Sequence, residues 1–312
     1  MTTLSKLSNR SNKHRGRASA GDVRESGRWA GPWFILPFVA FYVLFLIWPS
    51  LAMLGYSFTD RSLAGGPVSW VGIENWVEAL GDPYMWRSLW ITLLFTLLSV
   101  PPLVALGAAL AILTDHARRL GWFLRMAFFA PFVLPVAVMT MIWTWLYQPG
   151  FGLINQYLQM MGLQEVEWLG NEGTVLIAIV IATVWWTVGF NFVLYLAALQ
   201  GIPRETYEAA GIDGAGAWRK IRHITIPQLK RTTGLVTVLQ VIASLRIFDQ
   251  AYLMGGDFGG PNFASRTFIH YIYETGFVNF RLGLGSAMAW VLTITMVLVS
   301  VLLFRFFTRD GR

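Results

Sequence analysis

The chain has no cysteine among its 312 residues, which excludes disulfides, thiolate metal sites and cysteine nucleophiles together. Charge is scarce as well. Asp, Glu, Lys and Arg supply 13% of the chain, where a soluble globular domain carries roughly 25%. In their place 55% is hydrophobic, and mean hydropathy is positive. No GxxxxGK[ST] loop occurs, so the chain lacks the cradle that holds nucleotide phosphates and is not expected to hydrolyse ATP. The four histidines, His14, His116, His223 and His270, are scattered. Ser, His and carboxylate groups do not gather inside the apolar runs as an intramembrane hydrolase requires. Neither a catalytic residue nor a metal site is expected, and the chain is not read as an enzyme.

What is present is a series of long apolar runs. Six of them, approximately Gly31–Phe58, Ser88–Leu113, Met126–Tyr147, Thr174–Gln200, Thr232–Met254 and Leu282–Phe304, reach the roughly 20 residues that cross a bilayer. They lack the alternation of barrel strands. Lipid offers the backbone no hydrogen-bond partner, so helices are the expected spans. The predicted fold is an all-α integral membrane protein with six transmembrane helices. Residues 1–28, rich in Ser, Asn and Arg, read as a disordered basic tail, and residues 29–312 as the membrane domain. Ala18-Ser19-Ala20 looks like a signal-peptidase site but precedes the first apolar run, so no cleaved signal peptide is expected.

The formal charge of +7 suggests nucleic acid less than it suggests orientation. With the N-terminus inside, 19 of the 24 Lys and Arg residues fall in the tail, the second-to-third connection, the fourth-to-fifth connection and the C-terminus. The opposite side keeps five: Arg61, Arg87, Arg246, Arg266 and Arg281. By the positive-inside rule both termini are cytoplasmic.

The fourth-to-fifth connection, residues 202–229, is a polar and basic island. Pro203 to Asp213 reads as a short amphipathic helix started by proline. Gly214 and Gly216 break it. Trp218 to Ile224 reads as a second short helix halted by Pro227. Within the island, Glu208-Ala209-Ala210 stands three residues before Gly214, and nine further residues lead to Ile224-Thr225-Ile226-Pro227. This spacing resembles the EAA-x3-G-x9-I-x-L-P signature of permease subunits of binding-protein-dependent ABC importers, with Ile226 where leucine is usual, a volume-conserving change. The flanking residues resemble the carbohydrate-uptake branch, of the maltose and glycerol-phosphate permease type. So do VGIENWVEAL in the first outer connection, read as a membrane-surface helix, and FDQAYLMGGDFGGP with the following TFIHYIYETGFVNFRLGLGSA, read as a glycine-rich turn and a gate helix.

The resemblance implies a coupling loop in which Glu208, Ala209, Ala210, Gly214, Ile224 and Pro227 meet a separate ATPase. It also implies ATP and Mg bound by two ATP-binding subunits, a second permease subunit, an extracytoplasmic solute-binding protein, a carbohydrate substrate and a place in the bacterial cytoplasmic (inner) membrane. Within the fourth span, Thr183, Trp186, Thr187, Phe190 and Asn191 share one helical face. Aromatic rings with hydroxyl and amide groups are what a sugar site needs; packing alone is the other reading. In the fifth span Gln240 and Ser244 share a face. Arg246 and Asp249, three apart, are spaced to pair at the outer rim, as a structural pair or a gate. By resemblance the spans flanking the loop supply sugar contacts, which singles out Thr183, Trp186, Thr187, Phe190, Gln240 and Ser244. Pro131 and Pro135 predict a kink in the third span, either for packing or as a hinge. The sequence leaves two other readings to compare. An ion-coupled secondary transporter needs ionisable groups at the midplane, which these spans lack. A non-transporting scaffold would use the island to bind some other protein.

Overall fold

The computed structural model describes residues 30–116, 121–256 and 258–309. The expected tail, 1–28, lies outside them. Among the described residues the structure is helical, with one isolated antiparallel bridge, Thr59–Trp70. The residues up to Gly55 and those from Tyr56 onward form two compact units. The first unit contains α1 (Ala30–Tyr42), a π turn (Val43–Ile47) and most of α2 (Trp48–Tyr56). Its 24-residue run Trp33–Tyr56 measures about 36 Å at 1.5 Å per residue, enough to cross a hydrocarbon core of about 30 Å.

From Tyr56 onward the helices are α3 (Glu74–Gly81), α4 (Pro83–His116), α5 (Gly121–Val133), α6 (Val136–Leu146), α7 (Leu153–Met160) and α8 (Glu172–Gln200). There follow α9 (Arg204–Ile212), α10 (Ala217–Lys220), α11 (Ile226–Leu245), α12 (Asp249–Gly255), α13 (Phe268–Tyr273) and α14 (Leu282–Arg309). Among the described residues four helices are long and apolar enough to span by themselves, and with α5–α6 and α11–α12 each taken as one bent span the number is six. Helix α8 is central: α4, α5, α6, α11 and α12 pack on it. Lipid is as apolar as leucine, so close van der Waals fit and polar ties must hold such helices together. The fit is tight at Gly189, where a Cβ would sit 2.3 Å from the Phe128 carbonyl oxygen of α5.

Three expectations need correction. Pro227 does not halt a helix: Ala217–Leu245 runs as one helix, with a π turn at Ile221–Thr225. In that turn the Ile226 N–H reaches back five residues to the Ile221 carbonyl, and the wider loop makes room for a proline that brings no N–H of its own. The third span is not merely kinked; it bends by 97° between α5 and α6, at Leu134–Pro135. The fifth is not continuous either. It breaks at Arg246–Phe248, with a 47° bend between α11 and α12, and Phe248 has φ −140° and ψ −61°. The Thr267 hydroxyl donates to the Ile247 carbonyl at this break (3.0 Å).

Candidate functional site

Two features are built around α8 and α11. The first is a cavity of about 270 Å³ between them. Helix α8 contributes Thr183, Trp186 and Thr187, and α11 contributes Gln240 and Ser244. Phe95 and Leu103 of α4 and Phe132 of α5 complete the wall, while Arg246, Phe248, Asp249 and Gln250 line the end formed by the α11–α12 break. The structure therefore brings together five of the seven residues singled out in the two spans. It sets Phe190 and Asn191 apart from the lining. Phe190 packs on Phe132, with ring centroids 5.4 Å apart, and Asn191 is fully buried.

The polar groups of this region are mostly committed to one another. Gln240 Nε2 donates to Asn191 Oδ1 (2.7 Å), and Asn191 Nδ2 donates to the Leu103 carbonyl (3.2 Å). One amide pair thus ties α11 to α8 and α8 to α4. The Ser99 and Ser244 hydroxyls pair at 3.2 Å, and Thr183 Oγ1 donates to the Ile179 carbonyl of its own helix. Trp186 Nε1 donates to the Leu134 carbonyl (3.0 Å). In an unbroken helix Val138 N–H would take that carbonyl, but here Val138 N–H bonds Pro135. Trp186 therefore holds the α5–α6 bend with its N–H and faces the cavity with its ring.

Arg246 and Asp249 correct a further expectation. They do not pair: the helix breaks between them, so the three-residue spacing no longer places them on one face. Both are exposed and both line the cavity. A larger groove of about 530 Å³, lined by Ala137, Met141, Trp145, Phe151 and Leu253 with Thr140, Thr144 and Gln148, lies along α6. It is more apolar and lacks a charged group, so the smaller cavity is the better candidate for a polar solute. Among the described residues no three His, Asp or Glu groups gather as metal ligands.

The second feature is a knob. Helix α9 begins after Pro203, and Gly214 follows it with φ +75°. Glu208 and Ala209 are exposed and Ala210 is half-buried. Pro227 is exposed, while Ile224 and Tyr207 pack against a buried cluster that includes Leu199, Ile202 and Leu229. Ile212 and Trp218 stand out at 88% and 71% exposure.

The remaining connections are held by local polar bonds. Asp60 accepts from the hydroxyl and N–H of Ser69, which keep its carboxyl below its ordinary value. Arg281 forms a two-pronged bond with Glu78 (2.7 and 2.6 Å), which raises the guanidinium further. Burial first, and then its bond to Asp82, push the Tyr271 hydroxyl up. Sequence reasoning missed Phe132, Phe248 and Gln250 in the cavity. It also missed Asn155, which is fully buried. The Asn155 amide donates to the carbonyls of Tyr147, Gln148 and Val166, and its oxygen accepts from Val166 N–H and Trp168 Nε1. A lone Asn in a short helix carries no periodic signal for such a role.

Relatives agree with this architecture. The sulfoquinovosyl glycerol transport system permease protein of Agrobacterium fabrum is 33% identical over 86% of this chain and 87% of its own length. The arabinooligosaccharides transport system permease protein of Bacillus subtilis is 31% identical over 86% of this chain and 85% of its own. The fold of this chain is similar to that of a bacterial ABC transporter chain involved in the import of the acidic polysaccharide alginate, with a TM-score of 0.80 at 21% identity over 94% of this chain and 99% of that one. Residues 103–309 match the family described as binding-protein-dependent transport system inner membrane component. The chain belongs to that family of inner membrane transport permeases.

Proposed function

We propose that the chain is one of two membrane subunits of an ATP-driven importer for a sugar, an oligosaccharide or a sugar or polyol derivative. One observation carries this reading: the exposed knob and the polar cavity are joined by a single continuous helix, Ala217–Leu245. From Trp218 to Gln240 that helix is a lever of about 30 Å at 1.5 Å per residue. The relatives' sugar and oligosaccharide substrates support the solute class, as does the mix of rings, hydroxyls and amides in the cavity. At about 270 Å³ the cavity falls just below the roughly 300–1,000 Å³ of ligand pockets, which fits a site completed by a second permease subunit. In this reading a solute-binding protein delivers the sugar from outside, as an alginate-bound periplasmic protein accompanies a structural neighbour.

Two ATP-binding subunits, which hold the ATP and Mg, seat on the knobs on the cytoplasmic side, where the termini also lie. Glu208 pairs with a basic group of the ATPase, Ala209 and Ala210 allow close approach, and Gly214 sets the turn. Ile224 and Pro227 anchor the knob to the membrane helix. ATP favours one access state by its differential contacts. Thr183, Trp186, Thr187, Gln240 and Ser244 form the pathway wall, with Asn191 and Phe190 supporting it from behind and Arg246 and Asp249 at its gate. The test is co-purification of the chain with its ATPase, followed by Glu208→Lys. The variant should insert normally and lose uptake and ATPase coupling. Normal uptake by this variant removes the knob from the mechanism.

A further inference from the structure

The knob meets α11 through more than the chain between them. That chain, Gly214-Ala215-Gly216, contains one residue at φ +75° and one extended residue, a link with two glycines that resists bending poorly. A side-chain contact bypasses it. Tyr207, on the half-buried side of α9, packs its ring against the cluster at the foot of α8 and α11, and its hydroxyl meets the Thr225 hydroxyl at 3.0 Å. Thr225 is 2% exposed and is the last residue of the π turn from which α11 continues. A π turn is a wide loop of the ladder and often marks a functional site.

We propose that Tyr207 and Thr225 form the latch that makes α9 and α11 move together. They are positioning residues for transport, and the inference rests on the reading of the knob as an ATPase seat. Without the latch, a displaced α9 would flex at the glycine link and the cavity wall would stay where it was. With it, displacement of α9 is delivered to Thr225, and the rigid helix beyond carries it to Gln240 and Ser244.

This chain has no cysteine of its own, so in a complex assembled with cysteine-free partner subunits one introduced thiol is the only one to label. A single Leu239→Cys on the exposed side of α11 carries an environment-sensitive fluorophore, and Mg-ATP is the probe. In the otherwise unaltered background Mg-ATP should shift the emission. Tyr207→Phe and Thr225→Val should each reduce that shift about fivefold or more, the lower end of ordinary coupling, with ATP hydrolysis retained. The double variant should be no worse than either single one, because both remove the same bond, and Thr225→Ser should restore the shift. A purely structural role predicts additive losses and less assembled complex instead. If Tyr207→Phe fails to assemble, Thr225→Val against Thr225→Ser carries the test, and an equal, full shift in both overturns the latch. A full shift in Tyr207→Phe also overturns the latch while leaving the coupling reading intact. No shift in any background, the unaltered one included, overturns the coupling reading itself.

Discussion

Trp186 shows how far a single residue's position can be read from sequence. Helical spacing placed it on the face that lines the cavity, because Thr183, Trp186 and Thr187 recur at three and four. Its N–H partner was not legible: Leu134 lies 52 positions away, and its carbonyl is free only because the third span bends. Trp186→Phe keeps a ring against the cavity and leaves that carbonyl unpaired. The expected cost is about 1–3 kcal/mol, read as a lower unfolding midpoint of the detergent-purified chain, with uptake largely retained. Trp186→Ala should lose the ring as well and reduce uptake. Asp60 offers a pH-dependent counterpart on an exposed turn. Its folded carboxyl is held below its ordinary value by Ser69, so the turn is held fully above the ordinary carboxylate range and is released as pH falls through the lowered value. Weaker protection of Ser69 N–H, its exchange rate taken relative to the intrinsic rate at the same pH, is the expected result in acid, and at every pH in Asp60→Asn.

At the scale of elements, prolines were the least reliable guide. Pro227 reads as a stop, yet it sits in a continuous helix, as does Pro49. Each is preceded by a π turn, Val43–Ile47 or Ile221–Thr225, whose closing bond runs from the residue just before the proline to the carbonyl five back. Pro135 does mark a true break, with Trp186 to satisfy the carbonyl it frees. The difference lies in the neighbours of each proline, which periodicity does not report. The glycine of the knob was legible, since φ +75° suits glycine. Space is not the constraint at Gly214, because nothing lies within 4 Å of a Cβ built there. Side chains should therefore rank by tolerance of the left-handed region alone, which costs most residues roughly 1–2 kcal/mol and asparagine less. Gly214→Asn should keep more ATPase coupling than Gly214→Val; equal losses would mean that contact with the ATPase, and not backbone conformation, governs this position.

Over the whole molecule, composition and apolar runs sufficed for six spans, while the break at Arg246–Phe248 stayed hidden because no glycine or proline stands there. It is held by distant groups: Thr267 on the Ile247 carbonyl, and Tyr273 against the Phe248 ring at 5.4 Å. Orientation is an expectation from sequence alone: 19 of the 24 basic residues fall in the tail, the C-terminus and the two connections read as cytoplasmic. With no native cysteine, each introduced thiol reports its own side of the membrane. Val68 and Gln164, both exposed, lie in the first and third connections, and Glu205 and Arg222, also exposed, lie in the knob. In intact spheroplasts a membrane-impermeant maleimide should label Val68→Cys and Gln164→Cys. It should reach Glu205→Cys and Arg222→Cys only after the membrane is opened. Labelling of the knob from outside would invert the topology and leave a cytoplasmic ATPase nothing to hold, whereas the expected pattern places the knob and the basic connections on the side where ATP is made available.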